Sequence, residues 1–457
     1  MNKHILSLTL LLLTLSLPLT AGEKISKVLK ASGKAVCSIA TYNDGGEIVA
    51  IGQGFFVGEN KVYTAYDLFK GATNGVAVDA AGVSHKLLKV KGAHELYNVI
   101  RLSVETDRKR ISLTADSLVA SVGERLYLPP LSTASKEKGE FFTVSEVTPV
   151  GGYSYYTLSG PVSPLLNGRP LLTEDGRLAA ICQPASEGDT LCYALDTRYV
   201  ESLSLRALAL NEPSYRQLLF PKALPDDVSQ AQVYLFLAES QTDRTSYHQT
   251  VESFIEQFPD VYDGYLQRFK LDVEDSLYDR ADEDVARALE LAEKKGEVHY
   301  QTARAIFRTL AADTTFTREG WTMERVTDEL RAAITCDSLA VYYKELADVY
   351  AYNGQYRQAV LVLIQQEQLP GFRGTEDFYY YREQLERQCR MFQQAIDDID
   401  RCITLRPTQA AYRLEKAILH LRVGQVDVAK PILEELLLDY PDDPTCRSLY
   451  DTYCTQK

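Results

Sequence analysis

The amino-acid sequence predicts a multidomain chain, with an all-β half of sandwich or barrel type followed by an all-α array of helical hairpins. Three observations predict it. Residues 23 to about 205 hold many strand-length apolar runs separated by Gly and Pro turns. From about 229 the apolar spacing lengthens to that of a helix. Within that second half a residue pattern recurs at 34-residue intervals. The chain has 457 residues, room for two or three domains at roughly 150 residues each.

Composition narrows the function classes. Hydrophobic residues make up 45% and charged residues 25%, which excludes a disordered, collagen-like or polytopic membrane chain. Asp plus Glu number 63 against 49 Lys plus Arg, a formal charge of −14. Such a surface repels a phosphate backbone, and no basic run of useful length offsets it, so no nucleic-acid partner is expected.

The first element, residues 1–22, reads as a secretory signal peptide. Lys3 and His4 precede the apolar run Ile5–Leu19, Pro18 breaks that run, and Thr20-Ala21-Gly22 supplies small residues. The run is shorter than the roughly 20 residues a spanning helix needs, and nothing later is long or apolar enough to span a bilayer. The expectation is export, periplasmic or extracellular, with no transmembrane segment after signal cleavage.

The second element, 23–205, carries strand-like runs at Val36–Thr41, Glu47–Val57, Lys61–Thr64, Asn98–Val104, Leu126–Leu128, Phe141–Val147, Tyr155–Leu158 and Leu178–Ile181. Asn43-Asp44-Gly45-Gly46, Gly151-Gly152 and Glu174-Asp175-Gly176 supply turns. Export makes the eight cysteines worth pairing. Cys182 and Cys192 flank a polar stretch between two apolar runs, and a hairpin would make them a disulfide candidate. Cys446 and Cys454 are about 12 Å apart on a helix, too far to bond. No Cys-x-x-Cys or Cys/His cluster exists, so no metal and no cofactor are expected.

Gly52-Gln53-Gly54-Phe55-Phe56-Val57, then Val62-Tyr63-Thr64-Ala65-Tyr66-Asp67-Leu68-Phe69, resembles the start of a trypsin-fold serine protease of the HtrA-like (Deg) type. Leu96-Tyr97-Asn98-Val99-Ile100-Arg101-Leu102 resembles the family strand that carries the triad Asp. The stretch Gly160–Leu172, with Glu174-Asp175-Gly176-Arg177-Leu178 after it, resembles the nucleophile loop and its hairpin. The resemblance covers about 36–200 and implies a trypsin-like double barrel. It places Asp67 at the His position, Leu96 at the Asp position and Asn167 at the Ser position; Glu95 supplies a carboxylate if the alignment slips by one. Leu165 falls on the oxyanion-hole glycine. Acyl transfer on this fold needs a hydroxyl nucleophile, an imidazole and a carboxylate. No catalytic residue is expected, and the domain reads as a degenerate protease.

The stretch 206–228 carries Pro213, Pro221 and Pro225 and reads as a linker. The helical domain is expected over 229–457. Its best repeat is Leu346-Ala347, Tyr350, Gly354, Tyr356 and Ala359; the next is Tyr379, Phe392, Ala395, Cys402 and Pro407; the last is Ala417, Gly424, Val426, Ala429 and Pro441. A weaker copy places Tyr278, Ala281 and Ala288 at the same offsets. Gly296 to Ala333 reads as divergent hairpins with a long loop around Asp313–Glu319. The pattern resembles the tetratricopeptide repeat (TPR), in which small residues let helices approach closely.

That resemblance implies a concave groove lined by Lys344, Asp348, Tyr352, Tyr380, Gln384, Arg387, Gln388 and Arg422. Exposed tyrosines there would anchor a protein or peptide partner. The resulting expectation is an exported, non-catalytic scaffold with the protease-like domain as a second interaction module. Two alternatives stand beside it. One is an active serine-type hydrolase with an unconventional site, using Ser163 or Ser159 served by His94. The other is a regulator that pairs with an active protease.

Overall fold

The computed structural model describes residues 27–107, 110–115, 118–130, 140–184 and 190–455; the expected signal peptide, 1–22, lies outside the described residues. The chain divides into two compact units, 1–258 and 259–457.

The first unit opens with a short helix, α1 (Lys27–Ser32), and two barrels. Strands β1 (Val36–Tyr42), β2 (Ile48–Val57), β3 (Lys61–Thr64), β4 (Asn74–Val78), β5 (Ser84–His94) and β6 (Val99–Val104) close in the order β1-β2-β3-β6-β5-β4. Strands β7 (Arg125–Leu128), β8 (Glu140–Val150), β9 (Tyr153–Ser159), β10 (Pro170–Leu172), β11 (Leu178–Cys182) and β12 (Cys192–Asp196) close in the matching order β7-β8-β9-β12-β11-β10. All neighbours pair antiparallel, giving the trypsin-like double barrel the sequence predicts. Alternation sets which face is buried: in β5, Ser84, Lys86 and Leu88 are exposed while His85 and Leu87 are buried. At Gly54 a Cβ would lie 2.8 Å from Tyr63 O and 2.9 Å from Thr64 Cβ, so β2 and β3 can approach only with glycine there. Phe55, Tyr63 and Val99 of the first barrel share one core with Leu172, Leu178, Ile181 and Leu195 of the second. Each such side chain contributes roughly 1.5–3 kcal/mol by leaving water.

Cys182 and Cys192 lie on adjacent strands, but the register sets Cys182 opposite Ala194 and Cys192 opposite Leu158 of β9. The expected disulfide is not formed, because the two residues are offset along the ladder, and both pack as buried side chains in the second barrel.

After β12 come α2 (Thr197–Ser202) and α3 (Pro213–Arg216). The segment read as a linker is instead a strap on the first barrel. Tyr215, Leu218, Phe220 and Leu224 are buried. Phe220 meets Phe69 edge-on at 5.2 Å. The Tyr66 hydroxyl donates to Ser214 O at 2.6 Å, and Ala93 N–H donates to the Tyr215 hydroxyl at 3.0 Å. Val90 exchanges two backbone hydrogen bonds with Pro221 and Ala223. The prolines fix an extended path; they do not free it.

Helices begin at α4 (Val228–Gln241) and α5 (Arg244–Gln257), which belong to the first compact unit. The second unit comprises α6 (Tyr262–Glu274), α7 (Tyr278–Leu291), α8 (Gly296–Ala312), α9 (Met323–Asp337), α10 (Ala340–Tyr352), α11 (Tyr356–Glu367), α12 (Glu376–Gln388), α13 (Phe392–Leu405), α14 (Ala410–Arg422), α15 (Val426–Asp439) and α16 (Pro444–Tyr453). They pair as hairpins α6–α7, α8–α9, α10–α11, α12–α13 and α14–α15, with α16 packed on α15. The alanines singled out by the repeat, Ala281, Ala288, Ala347, Ala359, Ala395, Ala417 and Ala429, are fully buried where helices meet. Each of the five turns contains one residue with positive φ: Ser276, Gly320, Gly354, Arg390 or Gly424. The turn between α8 and α9 is the long loop expected near 313–319. It is pinned by Asp282 of α7, which accepts from Trp321 Nε1 at 3.1 Å, Arg318 Nη2 at 2.8 Å and Arg325 Nη1 at 3.1 Å.

Candidate functional site

Two regions gather the chemistry-bearing residues: the cleft between the barrels, and the first helices of the later hairpins.

In the cleft, β3 ends at Thr64 and the chain makes one 3₁₀ turn, Tyr66–Phe69. Tyr66 and Phe69 are buried and root the turn, leaving Asp67 exposed. The Asp67 backbone N–H donates to Asn98 Oδ1 at 2.9 Å, and Tyr66 N–H donates to Asn98 O at 3.2 Å. Asn98 is buried at φ 46°, closing the tight turn Glu95–Asn98 at the mouth of β6. The side chain beside Asp67 is therefore Asn98, not Leu96. Leu96 sits on that turn with 82% of its surface exposed. Glu95 points elsewhere, taking an ion pair from Lys70 at 2.8 Å.

On the second barrel, Ser163 caps a single 3₁₀ turn, Pro164–Leu166, by accepting Leu165 N–H at 3.2 Å on its hydroxyl. Asn167 N–H donates to Pro164 O at 3.4 Å. A tetrahedral oxyanion is stabilised when the N–H of the nucleophile and that of the residue two before it point together into the cleft. Here both end on oxygens of their own loop. Gly168 follows at φ 80°; a Cβ there would lie 2.5 Å from Gln53 O and 3.3 Å from Ala65 N. The Asn167-Gly168 turn is thus pressed against the first barrel, two residues from Asp67. Asn167 Oδ1 and Gln53 Oε1 are buried there without a hydrogen-bond donor. His94 accepts Tyr97 N–H on Nδ1 at 3.3 Å and stacks on the Tyr97 ring at 4.8 Å. Burial lowers its pKa, and among the described residues it has no serine as a hydrogen-bond partner.

No protein-family model matches the chain, and no curated protein matches it. Among solved structures it is similar to the Rv3671c protease in its inactive form, with 16% identity, 41% of this chain and 97% of that chain covered, and a TM-score of 0.33. The active form of the same protease, from M. tuberculosis, gives 16% identity, 42% and 92% coverage, and a TM-score of 0.33.

In the array, the sequence-named positions fall on first helices of successive hairpins. Lys344, Asp348 and Tyr352 are on α10, Tyr380, Gln384, Arg387 and Gln388 on α12, and Arg422 on α14. Several touch across helices. Lys344 Nζ pairs with Asp348 at 2.7 Å and lies 4.5 Å over the Tyr381 ring, whose hydroxyl donates to Asp348 Oδ1 at 2.6 Å. Tyr380 meets Tyr412 of α14 at 5.3 Å, and Arg387 reaches Glu415 at 3.2 Å. Tyr352 keeps 52% of its surface exposed while its ring edge meets Phe307 of α8 at 5.2 Å. Gln388 and Arg422 are exposed. Sequence reasoning missed Tyr381, Glu383 and Glu386. Their signal was charge and hydroxyl groups at positions where the helical spacing buries a side chain. Among the described residues no group of three or more His, Cys, Asp or Glu could hold a metal ion, and no helix is long and apolar enough to cross a membrane.

Proposed function

We propose that the protein is an exported, non-catalytic scaffold whose TPR-type array binds a protein or peptide segment, with the double barrel as a second, pseudoprotease interaction module. One observation carries the loss of chemistry. The N–H groups of Leu165 and Asn167 are consumed within their own loop, so even the electrostatic part of acyl transfer has no donor. The residues beside that loop agree: an amide at Asn167 is no nucleophile, and the Asp67–Asn98 pair holds no imidazole. Against the Ser163–His94 alternative stand two contacts: the Ser163 hydroxyl accepts from Leu165 N–H and His94 Nδ1 accepts from Tyr97 N–H.

The binding half of the reading rests on the first-helix face. A half-exposed Tyr352 and a Tyr380 backed by the buried Tyr412 offer rigid aromatic area at little entropy cost. Two measurements test the proposal. Full-length protein should remain unlabelled by a fluorophosphonate and should not cleave denatured casein; labelling of Ser163 or Ser159 overturns the non-catalytic reading. A ligand recovered from an exported-protein fraction should lose at least ten-fold in affinity on Tyr352→Ala plus Tyr380→Ala. Unchanged affinity places binding elsewhere.

A further inference from the structure

Around α12 the array buries more carboxyl groups than it can neutralise. Arg382 is buried and binds Asp398 of α13 through two hydrogen bonds, 2.6 and 2.8 Å, while its third nitrogen reaches Glu367 of α11 at 2.6 Å. Arg401 of α13 spans the same two acids, at 2.9 Å to Glu367 and 3.2 Å to Asp398. Two guanidiniums are thereby used on two carboxylates. Arg387 alone remains, shared between Glu415 of α14 at 3.2 Å and Glu383 at 3.4 Å. Among the described residues Glu386 has only Arg382, at 3.8 Å.

Glu383 is fully buried with both oxygens lacking a hydrogen-bond donor, and Glu386 Oε2 lacks one too. Five carboxyls thus face three guanidiniums; Glu383, Glu386 and Asp398 are buried while Arg387 and Arg401 keep part of their surface in water, and Asp397 and Cys402 of α13 add no positive charge. A buried, unpaired carboxylate costs several kcal/mol, and a proton removes that cost.

We propose that the α12–α14 layer is an acid-favoured conformational element, packed while Glu383 and Glu386 are protonated and loosened when they release those protons to solvent. Desolvation, with Glu415 beside Glu383 and Asp398 beside Glu386, pushes the two carboxyls up to about 7 and about 8. Both bind protons more tightly folded than unfolded. Their stabilisation is therefore complete below the ordinary carboxylate value of about 4.3 and is lost as pH rises through 7 to 8.

Hydrogen exchange of the full chain at pH 6 and pH 8.5, normalised to intrinsic rates, tests it. Amides of α12–α14 should lose roughly ten-fold or more in protection at the higher pH while α6–α9 change little. Glu383→Gln plus Glu386→Gln, which copies the protonated shapes, should keep the pH 6 protection at pH 8.5, and Glu386→Gln alone should keep part of it. Equal protection of the natural chain at both values overturns the proposal. So does an unfolded layer in the double variant at both values, since neutral side chains of that shape are what the packed state requires.

Discussion

The barrels and the hairpin array solve the same problem, burying polar groups, in opposite ways. In the barrels the backbone is satisfied between strands, so the shared core of Phe55, Tyr63, Leu172 and Ile181 is apolar and the site residues sit on loops at its edge. In the array each helix satisfies its own backbone, and neighbouring helices are matched by charged side chains instead. Asp284 holds Arg268, Asp272 holds Arg280, Asp398 holds Arg382, and Asp282 pins a loop. A changed side chain on a loop of the first region leaves the frame standing, whereas loss of one charge in the second strands its partner in a dry interior.

The largest expected effect tests that contrast directly. Arg382→Leu leaves Asp398 and Glu367 facing one guanidinium and should cost about 3–5 kcal/mol in urea unfolding of the array; adding Asp398→Leu should recover much of it. A cost below about 1 kcal/mol would remove charge matching as the array's device. In the barrels the corresponding weak point is steric. Gly168→Ala forces a Cβ to 2.5 Å from Gln53 O at φ 80° and should destabilise the first unit by about 2–4 kcal/mol, read as a lower thermal midpoint.

A smaller effect sharpens the repeat. Arg390 holds, at φ 60°, the turn position that Gly354 and Gly424 hold in the hairpins on either side. Arg390→Gly should raise stability by about 1 kcal/mol, read as a higher urea midpoint; a loss would mean the Arg side chain matters more than the backbone. The smallest effect concerns activity. Asp67→His, Asn98→Asp and Asn167→Ser together should yield no measurable hydrolysis of a p-nitrophenyl ester above background, because Leu165 N–H stays bonded to Ser163. Turnover in that triple variant would show that the loop opens easily.

Legibility followed the same division. The double barrel was readable because the glycine-flanked strands and turn signals stand in the right order along the chain. Asn98 was missed because the turn Glu95–Asn98 precedes the strand, so the apolar run, read from Asn98, looks one residue longer than it is. Strands β4 and β5 were passed over. Lys, His and Gly interrupt the apolar alternation of β5, whose outward positions are solvated. The strap was mistaken for a linker on its prolines, although Tyr215, Leu218, Phe220 and Leu224 already gave it an apolar face. In the array, the buried alanines and turn glycines were legible at once. Glu383 and Glu386 were passed over although the helical spacing puts them at buried positions, because charged residues are so seldom buried.

The strap also fixes how tension would travel. A pull on the C-terminal end enters the first unit at α5, passes through α4, and meets the strap before any strand. Resistance there comes from the Phe220–Phe69 contact and the Val90 backbone pairs, which load the first barrel alone. The strap should then peel as a zipper, one contact after another, at forces lower than those needed to shear β-strands. The second barrel is reached only after the strap has come away.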